Sequence, residues 1–358
     1  MIDSRKTQLT DWVNQQLRQL LSEPSISVDL TTVSGDASFR RYFRAEIAQQ
    51  TFIAVDAPPE NENSELFVEV AGYLREAGVK SPEVLAKNYD KGFLLLEDFG
   101  DSLYLPRLLS LQAGGLDAIS EYQVESLYKS AISALIKIQT NVNKERLAPY
   151  DREKLRSEMQ LFEDWFCGEY LKLKLTDGDR ELIANTFSFL EDAVLGQTQV
   201  AVHRDYHSRN LLILDEGRFP KDAGPGIIDF QDAMAGAYSY DLVSLLRDCY
   251  IRWSPELVEM LALHYYQLAC EAGLIEGVSI SQFLRDFDLA GLQRNFKVMG
   301  IFSRLCIRDN KPQYLADIPE VTQYFLEVAC KYEEMAPFLD WFETNVLLNA
   351  KAKLNLES

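Results

Sequence analysis

The residues best suited to chemistry are His203, Arg204, Asp205 and Asn210, in the run Val202-His-Arg-Asp-Tyr-His-Ser-Arg-Asn-Leu211. A second acidic group, Asp229, follows nineteen positions after Asn210 in Ile227-Ile-Asp-Phe-Gln-Asp232. The spacing H-R-D-x-x-x-x-N, then D-F, is that of a phosphoryl-transfer site. Such a reaction needs a carboxylate to orient an acceptor hydroxyl and take its proton, which suits Asp205. It also needs hard oxygen ligands for magnesium, which the amide of Asn210 and the carboxylate of Asp229 supply. Gln231 stands where D-F-G would have glycine. A lone Asp between strands is an ordinary turn residue; the joint spacing is what carries information.

The flanking elements must hold these groups still. Val200–His203, Leu211–Leu214 and Gly226–Asp229 read as short strands inside an otherwise helical stretch, a rigid base for the loop. Helices are predicted over 121–141, 151–170, 241–252, 256–272, 281–304 and 319–348 from their apolar spacing. Before Gly100 the texture differs. An amphipathic helix over 4–21 precedes strands at 30–33, 41–45, 51–55, 84–87 and 93–97, with a helix inserted over 64–77 and closed by Gly78. The pattern predicts an α+β chain. Residues 1–97 form a small lobe, a five-stranded antiparallel sheet with one inserted helix; residues 98–358 form a larger, mostly helical lobe.

Composition narrows the function. The 358 residues carry 36 basic and 55 acidic side chains, a net charge of −19. No Lys/Arg run offsets that balance, so neither nucleic acid nor an anionic membrane is an expected partner. Five scattered cysteines without a C-x-x-C pair, and three histidines, argue against disulfides and a zinc site. The start, Met1-Ile-Asp-Ser, lacks an apolar h-region, and a cytoplasmic monomer is expected.

Five segments carry a resemblance: Ser34-Gly-Asp-Ala-Ser-Phe-Arg-Arg-Tyr-Phe43, Asp56-Ala-Pro-Pro-Glu60, Leu95-Leu-Glu-Asp-Phe-Gly100, Val202 to Asn210, and Ile228-Asp-Phe-Gln-Asp-Ala233. On these the chain resembles the aminoglycoside phosphotransferase-like kinases, from about Thr31 to its end. The resemblance implies a bilobal protein-kinase-like fold, ATP as co-substrate and Mg2+. More narrowly, the chain is similar to the branch that phosphorylates the anomeric C1 hydroxyl of the amino sugars N-acetylmuramate and N-acetylglucosamine for peptidoglycan recycling. By position, the resemblance makes Asp205 the base and Asn210 and Asp229 the magnesium ligands. Ser34, Gly35, Asp36, Ala37, Ser38 and Phe39 would cover the phosphates. Glu97, Asp98, Phe99 and Gly100 would form the hinge at the adenine. Asp241 would accept hydrogen bonds from the catalytic-loop backbone, although an ordinary helix N-cap fits it equally well.

One departure stands out. The family's third strand normally carries a phosphate-binding Lys, but Phe52-Ile-Ala-Val-Asp56 ends in Asp. Arg40 and Arg44 share a strand face and are the expected replacements, with Arg41 on the other face. Glu65 or Glu69 would then be the helix partner. For the sugar, polar candidates are His207, Arg209, Asp232 and Arg294, and an Arg would suit a substrate carboxylate. Tyr238, Tyr240, Tyr250 and Trp253 could stack on a sugar or simply be core. Two other readings stay open: a kinase of another hydroxyl compound (an aminoglycoside, choline or homoserine), and a pseudokinase binding module.

Overall fold

The computed structural model describes residues 3–34, 39–115 and 117–354. Two compact units emerge: Met1–Ser102 with Leu211–Gln231, and Leu103–Asn210 with Asp232–Ser358. The division differs from a single cut after residue 97, because a later excursion of the chain joins the first unit. The chain enters that unit just after Asn210 and leaves it just before Asp232. Asp205 and Asn210 therefore belong to one unit and Asp229 to the other.

The first unit is built on a five-stranded sheet: β1 (Leu30–Ser34), β2 (Arg41–Ile47), β3 (Gln50–Asp56), β4 (Val84–Asn88) and β5 (Phe93–Glu97). The spatial order is β1-β2-β3-β5-β4, every pair antiparallel. Helix α1 (Ser4–Leu20), capped by Asp3, lays Leu9, Trp12, Val13 and Leu17 into a core with Phe43, Phe52, Phe93 and Leu95. Helix α2 (Ser64–Glu76) is capped by Asn63 and buries Phe67, Val70, Ala71 and Leu74. The turn before β5 requires glycine: Gly92 has φ +67°, and a Cβ there would stand 1.8 Å from the Ala57 carbonyl oxygen.

The second unit is helical: α3 (Tyr104–Ala113), α4 (Ala118–Asn141), α5 (Arg152–Leu161), α6 (Asp177–Leu195), α7 (Tyr240–Leu246), α8 (Pro255–Glu271), α9 (Ile280–Asp309), α10 (Ile318–Ala329), α11 (Ala336–Trp341) and α12 (Leu348–Leu354). Among the described residues, its strand pair is β6 (Gln199–Val202) with a strand at Met234–Ala237. The other two short strands, Leu211–Leu212 and Gly226–Ile227, pair with each other in the first unit. Helix α9 is the spine, with buried residues along nearly its whole length from Phe283 to Leu305.

Several expectations needed adjustment. Helices α3 and α6 and the strand at 234–237 were not anticipated. The single helix expected over 319–348 is interrupted between Ala329 and Ala336. The helix expected over 151–170 changes from α to π winding at Phe162. That change falls at a close approach of α9: a Cβ on Gly300 would lie 2.4 Å from the Leu161 carbonyl carbon and 2.6 Å from the Phe162 nitrogen. Phe162 then packs edge-on against Phe296 at 4.9 Å. Gly300→Ala should therefore destabilise the protein by about 2 kcal/mol in urea denaturation, since overpacking against backbone outweighs the roughly 1 kcal/mol gain in helix propensity. A variant as stable as the parent would show that the crossing can open.

Candidate active site

The loop after β6 is held by two buried carboxylates. Asp241, in the first turn of α7, accepts the amide N–H groups of His203 at 2.6 Å and Arg204 at 2.9 Å. Burial pushes the Asp241 pKa up, while His203 and the two amides resist. Of the two readings open for Asp241, the geometry supports loop anchoring; its side chain bonds back to the loop. Asp248 accepts both the amide N–H of Ser208 at 3.0 Å and its hydroxyl at 2.5 Å. Between these anchors Tyr206 is buried and donates its hydroxyl to the Ala131 carbonyl at 2.8 Å.

The loop's shape depends on Arg204. Its φ is +74°, in the left-handed region that costs about 1–3 kcal/mol for a non-glycine residue. Its side chain is buried, pairs with Glu158, donates to the Asp232 carbonyl at 3.3 Å and lies over the Tyr150 ring at 5.1 Å. Asp205, half-buried, follows at once. Its carbonyl accepts from the Asn210 side-chain Nδ2 at 2.9 Å and from the His207 amide at 3.1 Å. The Asn210 side chain is thus tied to the backbone of Asp205, five residues earlier.

The electrostatics keep Asp205 ionised. Burial works to raise its pKa, but Lys297, His207, Arg204 and His203 outweigh burial and hold it down at about 2. Lys297, on α9, was not singled out from the sequence. It is buried, donates to the Tyr240 hydroxyl at 3.2 Å and lies 3.7 Å from Glu158. Glu158 and Asp248 were also missed. Each sits in a helical or polar stretch with no spacing signal, so nothing in the linear pattern marks it. His207 is buried and pushed down by burial, and its Nδ1 has no hydrogen-bond partner.

Other candidate residues fall as follows. Arg209 is exposed, stacked 3.5 Å from the centre of the Tyr250 ring. Asp232 has an exposed side chain. Tyr238, Tyr240 and Trp253 are core: Tyr238 donates to Asp286 at 2.8 Å and Trp253 to the Tyr128 hydroxyl at 2.7 Å.

In the first unit, Asp229 adopts φ +62° and accepts a hydrogen bond from Gln231 Nε2 at 2.8 Å. Gln231 thus supports the carboxylate from the position where D-F-G has glycine. Phe230 is buried against Phe67 at 4.8 Å. Arg40 pairs with Glu62 at 3.0 Å. Glu62 lies just ahead of α2, one turn before Glu65. Arg44 bonds to Asp98 at 2.6 Å and to Asp101 at 2.8 Å. Against its burial, Arg44 and the Gly100 amide hold the Asp98 pKa down. The Asp98 carbonyl accepts from Arg218 at 2.9 Å, and Phe99 meets Phe219 edge-on at 5.7 Å. Glu97 is the last residue of β5, and its amide bonds the Glu83 carbonyl at 2.9 Å. Asp56, which replaces the strand Lys, is buried and neutralised by Arg5 and Arg41. Ser34 ends β1 and Phe39 is exposed; Gly35, Asp36, Ala37 and Ser38 lie outside the described residues.

Residues 29–274 match the phosphotransferase enzyme family. The chain belongs to that family. It is 38% identical over 338 residues to the N-acetylmuramate/N-acetylglucosamine kinase of Pseudomonas putida, covering 93% of this chain and 94% of the relative. The enzyme of the same name from Neisseria meningitidis is 39% identical over 319 residues, covering 88% and 90%. Among solved structures, the fold is similar to an ADP-bound aminoglycoside phosphotransferase (TM-score 0.54, 15% identity, covering 88% of this chain and 98% of that one). It is also similar to choline kinase from Streptococcus pneumoniae (TM-score 0.59, 12% identity, 89% and 99%). The five-stranded sheet and helical second unit are those of the protein-kinase-like fold. Among the described residues, no helix is long and apolar enough to cross a membrane.

The cationic shell gives a pH prediction. The folded pKa of Asp205 lies below its unfolded value, so ionised Asp205 contributes stability that is complete above about pH 5 and lost as pH falls toward 2. Carbon NMR of selectively labelled protein should place the Asp205 carboxyl at about 2. Lys297→Met should move it upward. An unchanged value in the variant would remove Lys297 from the shell.

Proposed function

We propose that this protein transfers the γ-phosphoryl group of ATP to the anomeric C1 hydroxyl of N-acetylmuramate and N-acetylglucosamine, giving sugar 1-phosphates for peptidoglycan recycling. The observation that carries the substrate is the 36–39% identity, over about nine-tenths of the chain, to three enzymes named N-acetylmuramate/N-acetylglucosamine kinase. ATP use is supported by family membership and by the ADP-bound neighbour of the same fold.

Asp205 orients the C1 hydroxyl and accepts its proton. A carboxylate with so low a pKa is a weak base, so orientation is its main contribution. Two features make weak basicity sufficient. A hemiacetal hydroxyl is more acidic than an ordinary alcohol, and phosphoryl transfer passes through a loose transition state with little nucleophile bonding. Lys297 and Arg204 keep Asp205 charged while Glu158 offsets their own charge.

By family position Asn210 and Asp229 are the residues that would hold magnesium. Each is of a ligand type the cation takes: Asn210, whose Nδ2 donates to the Asp205 carbonyl, carries a hard amide oxygen, and Asp229 carries a carboxylate that accepts from Gln231. Among the described residues no three His, Cys, Asp or Glu side chains cluster as a metal cage, and a cation shared between few protein ligands and substrate phosphates needs none. When bound, the cation would neutralise charge on the phosphates. Of the two arginines expected to replace the strand Lys, Arg44 is held by Asp98 and Asp101 and Arg40 pairs with Glu62, so either would share its guanidinium between a carboxylate and a phosphate.

Phosphorus NMR of reactions with ATP and magnesium tests the reading. N-acetylmuramate or N-acetylglucosamine should yield a phosphate signal split by the anomeric proton, and Asp205→Asn should lose about a hundredfold or more in turnover. Product only from kanamycin, choline or homoserine would replace the substrate. Undiminished turnover in Asp205→Asn would remove the base.

A further inference from the structure

Arg294 differs from Arg204 and Lys297, the other buried cations of the second unit, and from half-buried Arg247. It is 5% exposed. Arg204 pairs with Glu158, Arg247 with Asp288 at 2.5 Å, and Lys297 lies 3.7 Å from Glu158. Among the described residues, Arg294 makes no hydrogen bond and no ion pair. None of its nitrogens is among the sealed polar atoms that lack a partner, whereas both amide atoms of neighbouring Gln293 are. A guanidinium without a protein acceptor therefore looks onto accessible space from a buried stem.

Arg294 lies one turn before Lys297 on α9, and Lys297 bonds to Tyr240, the neighbour of the loop-anchoring Asp241, so Arg294 stands on the catalytic-loop side of this unit. Burial works against the Arg294 charge, yet Cys249, Tyr240, Asp248 and Asp205 together hold its proton more firmly. Arg294, after burial, lowers the pKa of His207, and His207 has its own unpartnered Nδ1 in the buried catalytic loop. Other arginines are poorer candidates. Arg209 is exposed and already stacked on Tyr250. Arg304 has an unpartnered Nε, but it lies ten residues, about 15 Å, further along α9, and Asp205 is not among the groups acting on it.

The two proposed sugars differ by one group: N-acetylmuramate carries a lactyl ether with a carboxylate at C3, and N-acetylglucosamine has a plain hydroxyl there. A planar guanidinium is the side chain that matches a carboxylate with two parallel hydrogen bonds. We propose that Arg294 is the receptor for the lactyl carboxylate of N-acetylmuramate and sets the preference between the two sugars. The inference rests on the sugar-kinase reading above. An unpaired buried cation is costly for the empty protein, and a carboxylate that arrives already oriented relieves that cost.

The test is steady-state kinetics with N-acetylmuramate, its methyl ester and N-acetylglucosamine, on the parent and on Arg294→Gln and Arg294→Lys, with thermal melting to confirm folding. The parent should prefer acid to ester. Arg294→Gln should raise KM for N-acetylmuramate by about ten- to a hundredfold, the range for a charged hydrogen bond, with N-acetylglucosamine within about twofold of the parent. In that variant acid and ester should become equivalent, and Arg294→Lys should recover part of the loss. A parent that treats acid and ester alike, an equal loss for both sugars, or a Gln variant that still prefers the acid would each overturn the assignment while leaving the kinase reading intact. A parent that phosphorylates neither sugar would instead overturn the sugar-kinase reading, and the assignment with it.

Discussion

Two successive backbone amides, those of His203 and Arg204, end on one fully buried carboxylate, Asp241. Neighbouring amides in a regular strand point in opposite directions; bringing both onto one acceptor forces a turn, and Arg204 accordingly takes φ +74°. A buried amide left unpaired costs about 1–3 kcal/mol, similar to the strain of a left-handed non-glycine residue. Two satisfied amides and the Arg204–Glu158 pair therefore outweigh the strain. The turn delivers Asp205 at the residue after the bend, and Asp248 repeats the device at Ser208. Without these anchors the loop would have no single shape in which Asp205 and Asn210 are bonded together.

The second constraint is charge. The chain is strongly acidic overall, but the surroundings of Asp205 are cationic: Lys297, Arg204 and the two loop histidines all favour its ionised form. Glu158 stands behind that shell. It pairs with Arg204, lies near Lys297 and accepts from the Tyr150 hydroxyl, so the cations are anchored and the local field stays balanced. Net charge says nothing about this arrangement; the α5, α7 and α9 helices create it by bringing distant residues to one place. Arg294 and Lys297 sit on the same helix near Asp205, yet Lys297 is committed to protein partners and Arg294 is not. That contrast separates a side chain serving the base from one available to a ligand.

Much of this was legible in the sequence, for physical reasons. The sheet strands alternate or run apolar between clear breakers, and all five were placed to within about two residues. The candidate loop at 203–210 and the turn at Asp229 stood out because phosphoryl transfer fixes residue types at short spacing. Asp241 was recognisable only through family position, since an N-cap Asp looks the same. Glu158, Asp248 and Lys297 were invisible because their roles depend on helix crossings that linear periodicity does not encode. The Arg40–Glu62 ion pair was invisible for a similar reason: it joins the residue just ahead of β2 to the loop before α2, which linear periodicity does not bring together. The interruption after Ala329 was hidden inside a continuous apolar pattern, and the π-helical segment at Phe162 answers to the close approach of Gly300, a tertiary effect.

The most direct test of this account is Asp241→Asn, followed by amide hydrogen exchange at His203 and Arg204 together with turnover. An amide side chain offers one oxygen acceptor where the carboxylate offers two, so one of the two N–H groups loses its partner. Exchange at that pair should accelerate and kcat should fall by about a hundredfold, the scale of a misplacement of about 1 Å, while KM for ATP changes little. Unchanged exchange together with unchanged kcat would contradict the claim that this carboxylate sets the loop.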